Sequence, residues 1–226
     1  MYREPTGVSV VIPVFNGARF LDQALDSVQQ QDYAPVEILV IDDGSTDDTA
    51  SIAAHRPNVR YLRQSNQGNA SAKNLGISNA TYPLVAFLDV DDLWMPHKLA
   101  TQVAHLEARP ELGFVLCHAA PILEDSLPWP EHLNQAHWQS NPALYAPSAL
   151  LAHRHVFDQV GLFDTDYWRA NDSDWFLRAA TSKVPMTVVD DVLVYKRIHP
   201  QNLTHDAAPM TAELLQALRA KVARQR

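Results

Sequence analysis

Residues 84–92 read LVAFLDVDD. The opening run is short, wholly apolar and without alternation, as a strand buried on both faces requires. It ends directly in Asp89, Val90, Asp91 and Asp92. Working outward, the same grammar recurs upstream. Residues 8–15, VSVVIPVF, form a β-branched run broken by Asn16 and Gly17. Residues 36–41, VEILVI, run into Asp42, Asp43 and Gly44, and residues 58–62, NVRYL, make a weaker strand. Between these runs the spacing is helical. Leu21, Ala24, Leu25 and Val28 share one stripe, and Ser45 or Thr46 is placed to cap a helix through about residue 55. A polar stretch, 64–69, leads into a helix ending near Ala80. Beyond the carboxylates, Pro96 stands where a first helical turn is expected, followed by Leu99, Val103 and Leu106. Residues 113–117, GFVLC, predict another strand. Strand and helix thus alternate through residue 118, which predicts an α/β fold: a mostly parallel central sheet with helices on both faces.

The pattern then changes. Pro121, Pro128, Pro130, Pro142 and Pro147 interrupt residues 121–147, with Trp129, Trp138 and Tyr145 among them. So long an irregular stretch in a globular chain is usually functional or disordered, and the aromatics favour an ordered loop facing a ligand. Residues 148–160 read as a helix, or a strand then a helix, stopped at Gly161. Helix is predicted over 172–181 and strand over 186–196. A last helix, 210–223, carries Leu214, Leu215, Leu218 and Val222 on one face. The simplest organisation is one domain over 1–226 with two unequal halves, 1–118 and 119–208, and a C-terminal helix, 209–226.

Composition narrows the function classes. The chain has 226 residues, 46% apolar and 19% charged, so it is globular. Its net charge of −8 argues against a nucleic-acid partner, which needs a basic surface. Cys117 is the single cysteine, which excludes a disulfide scaffold and fits a reducing cytoplasm. No run of about 18 apolar residues is present, and the polar start is not a signal peptide. A cytoplasmic location is expected. The stripe of the last helix, together with Arg219, Lys221, Arg224 and Arg226, allows peripheral contact with the inner face of a membrane. A helix packed on the domain with basic residues at its C-terminal end accounts for the same residues.

The acidic clusters carry the chemistry. In open α/β sheets ligands bind beyond the carboxyl ends of the strands. Asp42-Asp43 and Asp89-Val90-Asp91-Asp92 should therefore face one crevice. Asp47 and Asp48 are read as helix caps. Three carboxylates in one turn repel more than capping requires, and a cation offsets that repulsion. Oxygen ligands without a neighbouring cysteine suit Mg²⁺ or Mn²⁺, which take further ligands from substrate phosphates. A nucleoside diphosphate donor follows. The third cluster, Asn171-Asp172-Ser173-Asp174, opens a helix. Residues two apart do not share a helix face, so one of Asp172 and Asp174 faces the crevice, and spacing does not say which.

The chain resembles the family 2 glycosyltransferases of the inverting GT-A fold. The stretches VSVVIPVFNGARFLDQALDSV, EILVIDDGSTDDT, NQGNASAKNLGISNA, FLDVDDLWMPHKL, VGLFDTDYWRANDSDWFLRA and YKRIHPQN carry that resemblance, in the family's order, over residues 8–203. It implies metal-dependent transfer of a sugar from a nucleoside diphosphate sugar, a UDP-sugar being expected, to a saccharide or lipid-linked acceptor. It implies that Pro13, Phe15 and Asp43 lie at the base, Asp43 accepting from a base N–H. It places Gln67, Gly68, Lys73 and Asp89 at the nucleotide, although a solvated helix lysine is an equal reading of Lys73. It makes Asp91 the metal ligand, sets His199 by the metal or diphosphate, and makes Asp172 the catalytic base. Many relatives carry Glu where this chain has Asn171. A nucleotide-sugar-binding module without turnover is the alternative. The intact Asp172 speaks against it and Asn171 slightly for it.

Overall fold

The computed structural model describes residues 5–124, 128–131, 133–199, 202, 213 and 216. The residues of the expected C-terminal stripe, Leu214, Leu215, Leu218 and Val222, and the basic residues after them lie outside the described residues.

The first apolar run forms β1 (Val8–Val14), every residue of it buried. It pairs in parallel with β2 (Val36–Asp42) on one side and β4 (Leu84–Phe87) on the other. β3 (Val59–Arg63) adds to β2, also in parallel. Three helices make the crossovers. α1 (Ala18–Gln29) buries Leu21, Ala24, Leu25 and Val28, the stripe read from sequence. α2 (Thr49–Ala54) begins after Asp48, later than Ser45 or Thr46 would start it. The Ser45 hydroxyl instead accepts the Asn16 N–H at 2.9 Å, while Asp47 accepts from Thr49 N and Ala18 N. Asp47 thus does the local capping work expected of it, whereas Asp48 makes no side-chain cap bond. α3 (Asn69–Asn79) closes the third crossover.

The remaining strands are less regular. β5 (Leu93–Trp94) is a short element that periodicity did not announce. After α4 (Lys98–Ala108), β6 runs from Phe114 to Leu123, well beyond the predicted GFVLC. α5 (Gln135–Gln139) and a single 3₁₀ turn, Pro147–Ala149, lie within and at the end of the proline-rich stretch. Residues 148–160 resolve as strand then helix, β7 (Leu151–His153) and α6 (His155–Val160). α7 (Asn171–Thr181) and β8 (Met186–Ile198) complete the described elements.

All eight strands form one sheet in the order β3-β2-β1-β4-β7-β6-β8-β5. β7 is antiparallel to β4 and β6, β8 is parallel to β6, and β5 is antiparallel to β8. The fold is thus mixed α/β with a parallel half and an irregular half. One apolar core spans both, from Val8 and Leu39 to Trp175 and Leu193. β1, β2 and β4 run in one direction, so their carboxyl ends, and the residues just beyond them, share one edge of the sheet. The two acidic turns are therefore neighbours in space.

Candidate active site

The turn after β2 is held by backbone donors. The Asp42 carboxylate accepts Ser45 N–H at 2.7 Å and the Tyr61 hydroxyl at 2.5 Å. Burial first, then that bond to Asp42, push the Tyr61 phenol up to about 12. Asp43 accepts Gln67 N–H and Gly68 N–H at 2.8 Å each and the Gln64 amide at 2.7 Å. Asp43, Gln67 and Gly68 are thus brought together, with Asp43 as the clamp that folds the 64–68 loop back onto β2. A base N–H would have to use its remaining acceptor capacity. Gly68 has φ +90, and a Cβ there would sit 2.9 Å from the Trp168 ring, so only glycine fits. Pro13 is buried in β1, opposite Ile41, whereas Phe15 just beyond it is 50% exposed at the crevice rim.

The turn after β4 is held by side chains from far along the sequence. Asp92 is fully buried. Its carboxylate accepts the Ser148 hydroxyl at 2.6 Å, Lys196 Nζ at 3.0 Å and Arg197 N–H at 3.2 Å. Burial pushes its carboxyl up, to about 7, Lys196 opposes this, and Asp91 and Asp89 add to it. Lys196 Nζ also lies 3.4 Å from Asp89. Asp91 accepts His199 Nε2 at 3.0 Å and the Asn202 amide at 2.8 Å. Burial would raise its carboxyl, but the Lys196 charge and then His199 outweigh it and hold Asp91 at about 2. His199 is buried, its ring 4.8 Å from that of Phe20 in α1.

This donor set fits a hard divalent cation. Asp89, Asp91 and Asp92 offer carboxylate oxygens within 4.8 Å of one another. Among the described residues, Lys196 is the one ammonium bonded to the cluster. Asp91 and His199 already converge, whereas Asp92 is committed to Ser148, Lys196 and Arg197. The residues suited to a metal are therefore Asp91 and His199, with Asp89 beside them.

The third cluster resolves the choice that spacing left open. Asp174 is 1% exposed and paired with Arg178 at 2.7 Å on its own helix. Asp172 faces α3 instead, ion-paired with Lys73, its side chain 25% exposed. Lys73 is wholly buried, which excludes a solvated helix lysine. Its Nζ donates to Asn171 at 2.6 Å as well as to Asp172, and lies 4.3 Å from the Phe163 ring centroid. Next to it, Asn74 makes two bonds with the Phe163 backbone, at 2.8 and 2.9 Å, which tie α3 to the approach to α7. Glu213 accepts Arg169 N–H and Ala170 N–H just before that helix. Burial raises the Asp172 carboxyl, Lys73 works against it and Asp89 adds to it. The Asp89 charge is thus near enough to act on Asp172. Asn171 accepts from Lys73 as a neutral amide, without the charge a glutamate would bring.

Sequence reasoning missed Lys196, Asn202 and Ser148. Lys196 and Asn202 flank His199 within the quoted YKRIHPQN stretch, so a signal was there. Ser148 stands in a proline-rich stretch and carries no local signal.

An α/β sheet with two carboxylate turns on one edge, faced by a buried lysine–carboxylate pair, has the architecture of a GT-A-like transferase. The profile described as Glycosyl transferase family 2 matches residues 9–162. The chain belongs to that family and is a glycosyltransferase domain. It is 30% identical over 227 aligned positions to an uncharacterized glycosyltransferase of Nostoc sp., covering 91% of this chain and 69% of the relative. An uncharacterized glycosyltransferase of Rickettsia prowazekii is also 30% identical, over 88% of this chain and 66% of its own length. Among solved structures, a mannosyltransferase of Pyrobaculum calidifontis in complex with GDP-Man and Mn²⁺ is 25% identical, with TM-score 0.74, over 96% of this chain and 64% of that one. S. aureus TarS in complex with UDP-GlcNAc shares the fold at 18% identity, with TM-score 0.74, over 96% and 66%. The chain thus spans about two thirds of the length of these proteins. Among the described residues no helix is long and apolar enough to cross a membrane.

Proposed function

We propose that this chain transfers a sugar from a UDP-sugar to an acceptor hydroxyl with inversion at the anomeric carbon. The observation that carries this reading is the Asp91–His199 pair on the turn beyond β4, with the Lys73–Asp172 pair near enough for the charge of Asp89 on that turn to act on Asp172. The nucleotide would lie along the first turn, its base against Phe15 and Pro13 and beside Asp43, Gln67 and Gly68. Asp91 and His199 would hold Mn²⁺ or Mg²⁺, with Asp89 next to them. Such an ion, when bound, supplies Lewis-acid stabilisation of the diphosphate leaving group. The TarS complexes with UDP and UDP-GlcNAc and the mannosyltransferase complex with GDP-Man and Mn²⁺ support a nucleotide-sugar donor and a divalent ion in this fold.

Asp172 acts as general base. The acceptor oxygen gives its proton to the Asp172 carboxylate and forms a bond to the anomeric carbon. The bond from that carbon to the diphosphate oxygen breaks, and its electron pair leaves with the diphosphate. A single in-line displacement inverts the centre. A base is most effective when its pKa lies near the operating pH. Burial moves Asp172 in that direction, while Lys73 keeps it ionised and aims it.

A thermal-shift panel of UDP and GDP, each with Mn²⁺ or with chelator, tests the reading. A shift that UDP and Mn²⁺ produce together, larger than with GDP, is expected. A GDP preference would overturn the base assignment, and shifts indifferent to the chelator would overturn the metal.

A further inference from the structure

The 3₁₀ turn Pro147–Ala149 ends the proline-rich stretch, and its central residue touches the acidic turn after β4 at both ends. Ser148 is completely buried. A hydroxyl has one proton to give and two lone pairs to receive with. Here the proton goes to Asp92 Oδ2 at 2.6 Å, and the oxygen accepts Asp89 N–H at 3.1 Å. The turn's own backbone closure, Asp92 N–H to Asp89 O, measures 2.9 Å. Ser148 therefore bridges the two residues that flank Val90 and Asp91. We propose that Ser148 is a positioning residue for the metal loop: it fixes the Asp89 backbone and the Asp92 side chain, and so sets where Asp91 presents its carboxylate to His199 and a divalent cation. This rests on the reading of Asp91 as a metal ligand.

The serine is itself held on a buried frame. Trp94 Nε1 donates to the Ser148 carbonyl at 2.8 Å, and the Gln102 amide donates to the Ala149 carbonyl at 2.8 Å. Lys98 ties these two together, its Nζ 2.6 Å from Gln102 Oε1 and 4.0 Å from the Trp94 ring centroid. The hydroxyl is thus supported on both sides of its own backbone. Residues that orient metal ligands in this indirect way typically account for about 10–100-fold in metal affinity when removed.

The test is Mn²⁺ affinity, measured by electron paramagnetic resonance with saturating UDP and, in parallel, saturating GDP. Wild type is compared with Ser148→Ala, Ser148→Cys, Val103→Ala and Asp91→Ala. Val103 is a buried α4 residue whose apolar side chain makes no hydrogen bond, so Val103→Ala lowers the melting temperature while leaving the polar frame of the loop in place. Ser148→Ala is expected to bind Mn²⁺ roughly tenfold or more weakly than wild type, and Val103→Ala equally to wild type. Ser148→Cys fills the same space with a much weaker donor and should also lose affinity, so it decides the matter if the alanine variant fails to fold. Wild-type affinity in either folded Ser148 variant overturns the proposal, and so does equal loss in Val103→Ala. Mn²⁺ binding by Asp91→Ala at wild-type strength, or no Mn²⁺ bound by wild type with either nucleotide, overturns the metal reading and the proposal with it.

Discussion

The two acidic turns sit side by side at one edge of the sheet and are built in opposite ways. After β2, Asp42 and Asp43 are satisfied by donors close in sequence, between Ser45 and Gly68, mostly backbone N–H groups. After β4, Asp89, Asp91 and Asp92 are satisfied by Ser148, Lys196, His199 and Asn202, residues more than fifty positions away. Asp42 also has the Arg63 guanidinium at 3.7 Å, so both carboxylates of the first turn find their partners within residues 45–68. The second keeps three carboxylates against one bonded ammonium, and that imbalance suits it to an added cation. The first turn is tied by partners close in sequence, the second by packing between distant segments.

The largest effect expected lies across the crevice, at the group that belongs to neither turn. Asp172→Asn keeps the hydrogen bond to Lys73 but cannot take a proton at neutral pH. Donor turnover, followed as UDP release, should fall by about 10²–10⁴-fold. Calorimetric UDP affinity should remain that of wild type, which would separate chemistry from both turns. In wild type the acid limb of turnover should sit above the ordinary aspartate range, because the folded pKa is raised. Turnover is then lost as pH falls through that raised value. Near wild-type turnover in the variant would remove Asp172 as the base.

Next in size, Asp91→Ala should abolish the contribution of Mn²⁺ to UDP affinity, a loss of about tenfold or more. With chelator, variant and wild type should bind UDP alike. Equal affinity in all four combinations would erase the distinction between the turns. Asp43→Ala probes the other side. It leaves Gln67 N–H, Gly68 N–H and the Gln64 amide without their acceptor. A stability loss of about 2–3 kcal/mol in urea unfolding is expected, from the usual strength of bonds to a charged group. UDP affinity should fall by the same factor with Mn²⁺ and with chelator. A loss confined to Mn²⁺ would show that the first turn is also part of the cation site.

The smallest effect concerns the frame beneath the second turn. Burial holds the Lys98 amine down, at about 8, against a nearby Cys117 thiol whose charge would raise it. Between pH 8 and 10.5 the folded state therefore binds fewer protons than the unfolded one, and this group makes stability rise with pH. Cys117 and Tyr61, both raised, act in the opposite sense, so the comparison must be between variants. The stability of wild type relative to Lys98→Met should increase across that window by on the order of 1–3 kcal/mol. A flat difference would mean that Lys98 titrates as it does in water.

The parallel half of the molecule was legible in the sequence because its signals are local. Each buried strand is a contiguous apolar run, each crossover helix a stripe, and the carboxylates come at strand ends, Asp43 directly after β2 and Asp89 just beyond β4. The motif resemblance extended that reading to Asp91, Asp172 and His199. What local pattern misjudged was where several charges had rival partners. The helix after Asp43 starts at Thr49 because the Ser45 hydroxyl is taken by Asn16. Periodicity could not choose between Asp172 and Asp174, since both are polar residues in the first turn of one helix.

By itself the sequence determined the alternation of strand and helix and the placing of two carboxylate turns at one sheet edge. Backbone periodicity and strand direction suffice for that. Only the tertiary structure decided how the two carboxylates differ: Arg178 on the same helix takes the buried Asp174, and Lys73 of α3 takes the partly exposed Asp172. It also made Asp92 a hub, because Ser148, Lys196 and Arg197 meet on it from two later segments of chain. The physical reason is that a carboxylate's role depends on which donors reach it in space. Those donors are set by packing between distant segments, where no sequence period operates.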